Sequence, residues 1–227
     1  MYSIAQIKIT VFIIFLFIGN KLAYPQNPQS YFFENEFDAS LSLESKWSMD
    51  FGVGSRGMFQ ERFDGERISG YEHDHLELNY FTNYQTNESF VYSLGLRYRF
   101  REIFDPIETD EIRIIKQIEF DPVNSRLVHR LRLEQRFRKN TIHRLRYDLA
   151  YMFPLYQNLS FAFGTEALYA ISAQLKPELE QRFSIELEIS SVEELDLELG
   201  FEYRIENYAR DLAHEFFIIT GINMNLD

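Results

Sequence analysis

Val128-His129-Arg130-Leu131-Arg132-Leu133-Glu134-Gln135-Arg136-Phe137, then Arg138-Lys139-Asn140-Thr141, then Ile142-His143-Arg144-Leu145-Arg146-Tyr147-Asp148-Leu149-Ala150-Tyr151-Met152-Phe153: this stretch decides the fold. Successive side chains of an extended strand point to opposite faces. Leu131, Leu133 and Phe137 therefore share one face, and Arg130, Arg132, Glu134 and Arg136 share the other. After the polar turn the pattern resumes, with Leu145, Tyr147, Leu149, Tyr151 and Phe153 against Arg144, Arg146 and Asp148. A sheet with one greasy and one ionic face can bury the greasy face in a core. If it closes on itself, it can instead turn that face to lipid and keep the charges inside.

The same period of two runs along most of the chain. Phe33 to Leu43 leads to a turn at Glu44-Ser45-Lys46, and Trp47, Met49, Phe51 and Val53 follow. Ser55 to Asp74 is polar and reads as a loop. Leu76, Leu78, Tyr80 and Tyr84 oppose Glu77, Asn79 and Asn83. Beyond Thr86-Asn87-Glu88, Phe90 to Phe100 alternates with Gly95, Arg97, Arg99 and Arg101. Ile112 to Phe120 is irregular, with Lys116 on the apolar row and Ile115 on the polar one. Asp121-Pro122-Val123-Asn124 is a turn. Later strands place Phe183, Ile185 and Leu187 against Arg182, Ser184 and Glu186, and Leu195 to Ile205 against Asp196, Glu198, Glu202 and Arg204. These segments number about eleven, each near the ~9–11 residues of a tilted membrane strand. The expected fold is all-β, a closed antiparallel up-and-down transmembrane β-barrel of about 10 to 12 strands. Even strand numbers are the rule for single-chain bacterial barrels. Either Tyr24 to Phe32 then adds a short strand, giving twelve, or the first segment lies outside the wall, giving ten.

The first 23 residues hold Lys8 and Lys21 and no acid, and Ile9 to Ile18 is apolar except for Thr10. This is the size of a signal-peptide core and too short for a spanning helix. The expected organisation is a signal peptide at 1–23, an N-terminal linker at 24–32 and a barrel domain at 33–227, with export to the cell outer membrane. Removing the two leader lysines takes the formal charge from −12 to −14, which argues against nucleic acid as a partner. The absence of cysteine excludes disulfides, thiol catalysis and Cys-ligated zinc.

Folding the alternation into a wall sends Arg97, Arg99, Arg101, Arg130, Arg132, Arg136, Arg144 and Arg146 into one sector of the lumen, with Glu134 and Asp148 among them. Glu166, Glu186, Glu188, Asp196, Glu198 and Glu202 fall in a later sector, with Arg182 and Arg204 as local neutralisers. Two readings share these residues: a structural ionic network that fills the interior across the lumen, or a water-filled constriction that selects small polar or anionic solutes. Trp47, Tyr84, Tyr98, Phe100, Phe137 and Phe153 stand near strand ends, as interfacial girdles do.

Catalytic, cofactor and metal motifs are weak. His129 and His143 could in principle serve a lipid-modifying barrel enzyme, but no Gly-x-Ser-x-Gly elbow accompanies them. His73-Asp74-His75 has no evident third ligand. Gly52-Val53-Gly54-Ser55-Arg56-Gly57 matches a dinucleotide fingerprint by letter, yet ends a strand rather than opening a helix. The expectation is a non-enzymatic barrel with no cofactor and no metal, meeting outer-membrane lipid and the barrel-insertion machinery. The alternatives are that enzyme, or a soluble periplasmic ligand-binding barrel with apolar residues inside.

Several segments together resemble one family: Tyr98-Arg99-Phe100-Arg101-Glu102, Glu111-Ile112-Arg113 with Gln117, His129 to Phe137, Arg144-Leu145-Arg146-Tyr147 and Phe201-Glu202-Tyr203-Arg204. They are similar to the bacterial domain-of-unknown-function family 2490, common in Bacteroidota and grouped with outer-membrane β-barrels. The resemblance spans nearly all of the chain after the leader. It implies a barrel in the outer membrane and no established activity.

Overall fold

The structure is a computed structural model that describes residues 27–43, 46–63, 66–101, 109–192 and 194–226. The signal peptide expected at 1–23 and the turn residues Glu44 and Ser45 lie outside the described residues. Among the described residues there are eleven strands and no helix: β1 (Gln29–Ser42), β2 (Trp47–Phe63), β3 (Glu66–Asn87), β4 (Phe90–Phe100), β5 (Glu111–Phe120), β6 (Leu127–Phe137), β7 (Thr141–Tyr156), β8 (Leu159–Ser172), β9 (Glu178–Val192), β10 (Leu195–Glu206) and β11 (Ala213–Asn225). Each pairs with its sequence neighbours, and β1 closes on β11 to complete a barrel.

The closure answers the question of parity. All sequential neighbours are antiparallel, but β1 and β11 run parallel, from Gln29↔His214 to Ser40↔Asn225. Eleven strands close without a twelfth partner, so neither the ten-strand nor the twelve-strand arrangement is needed. β1 also opens at Gln29, inside the segment read as linker 24–32, because Gln29 to Phe33 pair with both β2 and β11.

Ser55 to Asp74 is a second correction. It is not a loop: β2 and β3 continue as one long hairpin and remain paired out to Phe63↔Glu66. Register shifts at Arg56/Gly57 and Met58/Gln60 break the alternation there, as β-bulges do. The Asp121-Pro122-Val123-Asn124 turn is present, with Asn124 at φ 64°, a left-handed conformation that asparagine tolerates. β1, β3, β5, β7 and β9 end at one rim of the barrel, where the connections to the next strand are short, and β2, β4, β6, β8 and β10 end at the other, where the long β2–β3 hairpin projects.

The molecule is inside-out relative to a water-soluble barrel. Leu131, Leu133, Tyr147, Leu197 and Leu199 are exposed on the outer surface, whereas Glu77, Glu111, Arg113, Glu134 and Arg136 are buried within. Lys116 is on the outer row and Ile115 is fully buried on the inner one. Among the described residues, Ile115, Leu168 and Phe217 are the most deeply buried large apolar groups of the interior, and Phe32 and Ile219 also line the lumen. Gly95 is where close approach matters, since a Cβ there would collide with the Phe81 ring that covers it from the facing strand.

Candidate functional site

Because the charged rows face inward, register pairs on the inner face bring ionic groups of adjacent strands side by side, as at Glu77↔Arg99, Glu134↔Arg144 and Glu166↔Arg182. The result is a chain of contacts along the inner wall. Glu134 on β6 meets Arg146 on β7 at 2.8 Å, and Arg146 grips Glu166 on β8 through Nε and Nη2 at 2.9 and 2.8 Å. Glu166 lies 3.3 Å from Arg182 on β9, which also holds Glu180 at 2.5 Å and reaches Glu202 on β10 at 3.9 Å. Glu202 pairs with Arg204, which reaches across β11 to Glu34 on β1 at 3.9 Å. Glu34 accepts from Arg56 on β2 at 3.0 Å, and Arg56 lies 3.7 Å from Asp74 on β3. Asp74 hydrogen-bonds His75 at 2.9 Å, His75 faces Glu77 at 3.6 Å, and Glu77 holds Arg97 and Arg99 of β4 at 3.0 and 2.7 Å. A separate cluster joins Glu111 to Arg113 and, at 2.6 Å, to Arg136.

Where the girdle crosses β11, an aromatic ring replaces a charge. Phe217 is fully buried, stacks on Phe32 at 4.8 Å, and lies beneath the guanidinium carbons of Arg204 and Arg56 at 3.7 and 4.8 Å. Guanidinium over a ring face is favourable and is stronger where water is excluded. The bidentate Arg–carboxylate forks supply the directional part of the girdle.

Of the two arrangements the sequence left open, the ion pairs among the described residues do not bridge the lumen across its width but brace it along its wall. Among the described residues, the ion pairs join residues of the same strand, of adjacent strands, or of strands one apart. An interior of about eight strands is narrow enough for side chains to fill, whereas eleven make a wider one. A cavity of about 570 Å³ remains, lined by the Arg97, Arg99, Arg101, Arg130, Arg132, Arg136, Arg144 and Arg146 sector and, opposite, by Glu186, Glu198 and Glu202.

The expected ionic residues divide into paired and unpaired sets. Arg130 meets Asp148 at 3.5 Å, and Arg132 lies 3.7 Å from Glu134 and donates to Gln117 at 2.7 Å. Among the described residues, Arg101, Arg144, Glu186, Glu188, Asp196 and Glu198 form no ion pair within 4 Å. Sequence reasoning missed Glu34, Arg56, Asp74, His75, Glu77 and Glu180 as girdle members, and Glu111 and Arg113 of the separate cluster. Arg56 and Asp74 lie within the segment read as a loop and His75 directly follows it, and the alternation was weakest around Glu111 and Arg113.

The remaining motifs separate. His129 and His143 lie toward opposite rims, paired in register with Leu149 and Gln135, and His129 meets the Tyr147 hydroxyl at 2.8 Å. His75 belongs to the girdle, and no group of three or more potential metal ligands occurs among the described residues. Gly52 and Gly54 leave room for the lumenal side chains Asp38, Asn79 and Glu77.

No curated protein matches the chain. The profile of proteins of unknown function DUF2490 matches residues 26–214, which include all of β1 to β10 and the ionic wall just described, and the chain belongs to that family.

Proposed function

We propose that this protein is a non-enzymatic outer-membrane β-barrel, exported behind a signal peptide, whose ionic girdle stiffens the wall and narrows the lumen. The observation that carries this reading is the inverted surface: apolar side chains outside all round the barrel, and a buried ionic layer inside. In water such an exterior would drive aggregation, whereas in hydrocarbon it is the stable arrangement.

Two outer bands of aromatic contacts add support. Near one rim are Trp47–Tyr84, Phe90–Phe120 and Phe153–Phe161, and near the other Tyr98–Phe100, Tyr203–Phe216 and Tyr31–Phe216. β4 runs between the bands, from Phe90 to Phe100. Ten steps of about 3.3 Å give roughly 33 Å. A tilt of about 40° projects this to roughly 25 Å, the height of an outer-membrane apolar band.

Cell fractionation with reconstitution tests the reading. The protein is expected in the outer-membrane fraction, detergent-dependent when purified, and in planar bilayers to pass far less current than a sixteen-stranded porin measured alongside. A detergent-free monomer, porin-sized currents, or turnover of membrane lipid by the purified barrel would each overturn the corresponding part.

A further inference from the structure

The arginines of β4 to β7 outnumber the acids that hold them, and their arrangement is unusual. Arg97, Arg113 and Arg136 are direct register partners on three consecutive strands, so three guanidiniums stand abreast in one inner row. Like charges directly opposite one another destabilise a sheet. Glu77 and Glu111 relieve part of this, through Arg97, Arg113 and Arg136. Two further arginines flank the row: Arg101 follows the end of β4, and Arg144 is on β7. Among the described residues, neither has a carboxylate within 4 Å. The buried Nε atoms of Arg97, Arg101, Arg136 and Arg144 have no hydrogen-bond partner. All five side chains line the lumenal cavity of about 570 Å³.

Unpaired buried charge is costly, and guanidinium forks match the geometry of tetrahedral and planar oxyanions. The chain as a whole is acidic at −12, so this concentration of donors is not a general affinity for anions. Guanidinium donors without partners that line one cavity are suited to hold an oxyanion. We propose that Arg101, Arg136 and Arg144, backed by Arg97 and Arg113, form a lumenal binding site for a phosphoryl group. The inference takes the open lumen from the functional reading but does not need the membrane. The phosphoryl group has two sources, a small soluble phosphate or the headgroup of a lipid at the rim.

The test uses the full chain folded in zwitterionic detergent, titrated calorimetrically with inorganic phosphate at ionic strength fixed with sodium chloride. A second arm replaces phosphate with phosphatidic acid in mixed micelles, with phosphatidylcholine as the blank. Saturable binding in the first arm assigns a soluble ligand, and binding in the second arm alone assigns a lipid. Arg144→Gln and Arg101→Gln are each expected to weaken binding roughly 10- to 100-fold, the loss of one or two charged hydrogen bonds. Phosphate should raise the urea midpoint of the parent and not of either variant. Both variants remove an unpaired charge, so the barrel should stay folded, and either one alone suffices for the test. If phosphate acts no differently from chloride and phosphatidic acid no differently from the blank, or if both variants bind like the parent, the proposal is wrong. A barrel that binds phosphate but will not enter bilayers keeps the site and loses the membrane reading. One that inserts but ignores both ligands does the reverse.

Discussion

Replacing Arg146 with methionine should destabilise the barrel more than any other single change of an inner arginine to an apolar residue on β6 or β7. Arg146 makes two charged hydrogen bonds to Glu166 and one to Glu134, and its partners are 7% and 0% exposed at the side chain. Removing one member of a buried ionic cluster costs about 3–5 kcal/mol, because the remaining charges stay desolvated. Glu134 keeps Arg132 at 3.7 Å and Glu166 keeps Arg182 at 3.3 Å, which argues for the lower end, about 3 kcal/mol. With a urea dependence of roughly 2–3 kcal/mol per molar, the unfolding midpoint should fall by roughly 1–1.5 M. Arg130→Met is the internal control. Its single contact with Asp148 spans 3.5 Å and its side chain is 36% exposed, so the loss should stay below about 1 kcal/mol. The assay is urea unfolding in micelles, followed by the fluorescence of Trp47, the sole tryptophan, which packs against Tyr84 on the outer face. Equal midpoints for the two variants would refute the claim that the girdle, rather than backbone closure alone, holds the wall.

Three further outcomes follow from the geometry. Leu199→Arg puts a cation on the outer face, where the parent side chain is exposed, and should cost about 2–4 kcal/mol in lipid vesicles; an unchanged midpoint there would argue against hydrocarbon contact. Gly95→Ala forces the Phe81 ring off its seat and should cost about 1–3 kcal/mol, with Phe81→Ala restoring part of it in the double variant. Asn35 and Thr220 are register partners across the parallel seam, joined by a 2.7 Å side-chain hydrogen bond. The cysteine pair N35C/T220C in this cysteine-free chain should therefore oxidise to an intramolecular disulfide that survives boiling in detergent until reduced.

Alternation was legible in the sequence wherever one face of a strand meets a different medium from the other. Leu131 and Arg132, or Leu197 and Glu198, face the directions their parity implies. The distal part of the β2–β3 hairpin was not legible because register shifts at Arg56/Gly57 and Met58/Gln60 break the period of two there. β2 stays paired with β1 out to Arg62↔Gln29, while β3 pairs with β4 only from Leu76↔Phe100 onward, and Ile68 and Tyr71 before that point are exposed. The parallel seam was hidden because local periodicity carries no information about which strands meet at closure. The width of the lumen follows from the closed strand number, and with it the finding that Arg146 turns sideways to Glu166 rather than reaching across. Inner residues on irregular strands, such as Glu111 and Arg113, would have been found by carrying the parity back from Ile115, the one apolar group of that row.

An odd number of strands separates the two ends of the barrel. Gln29 begins β1 at the rim with the long hairpin, and Asn225 ends β11 at the rim with the short turns. In the proposed outer-membrane setting, the first and last strands would therefore open onto opposite compartments. On that reading, a peptide tag placed at each end of the barrel would report both sides of the membrane from one molecule, and a folding route that delivers both terminal strands from the same side would have to pass one of them through the bilayer.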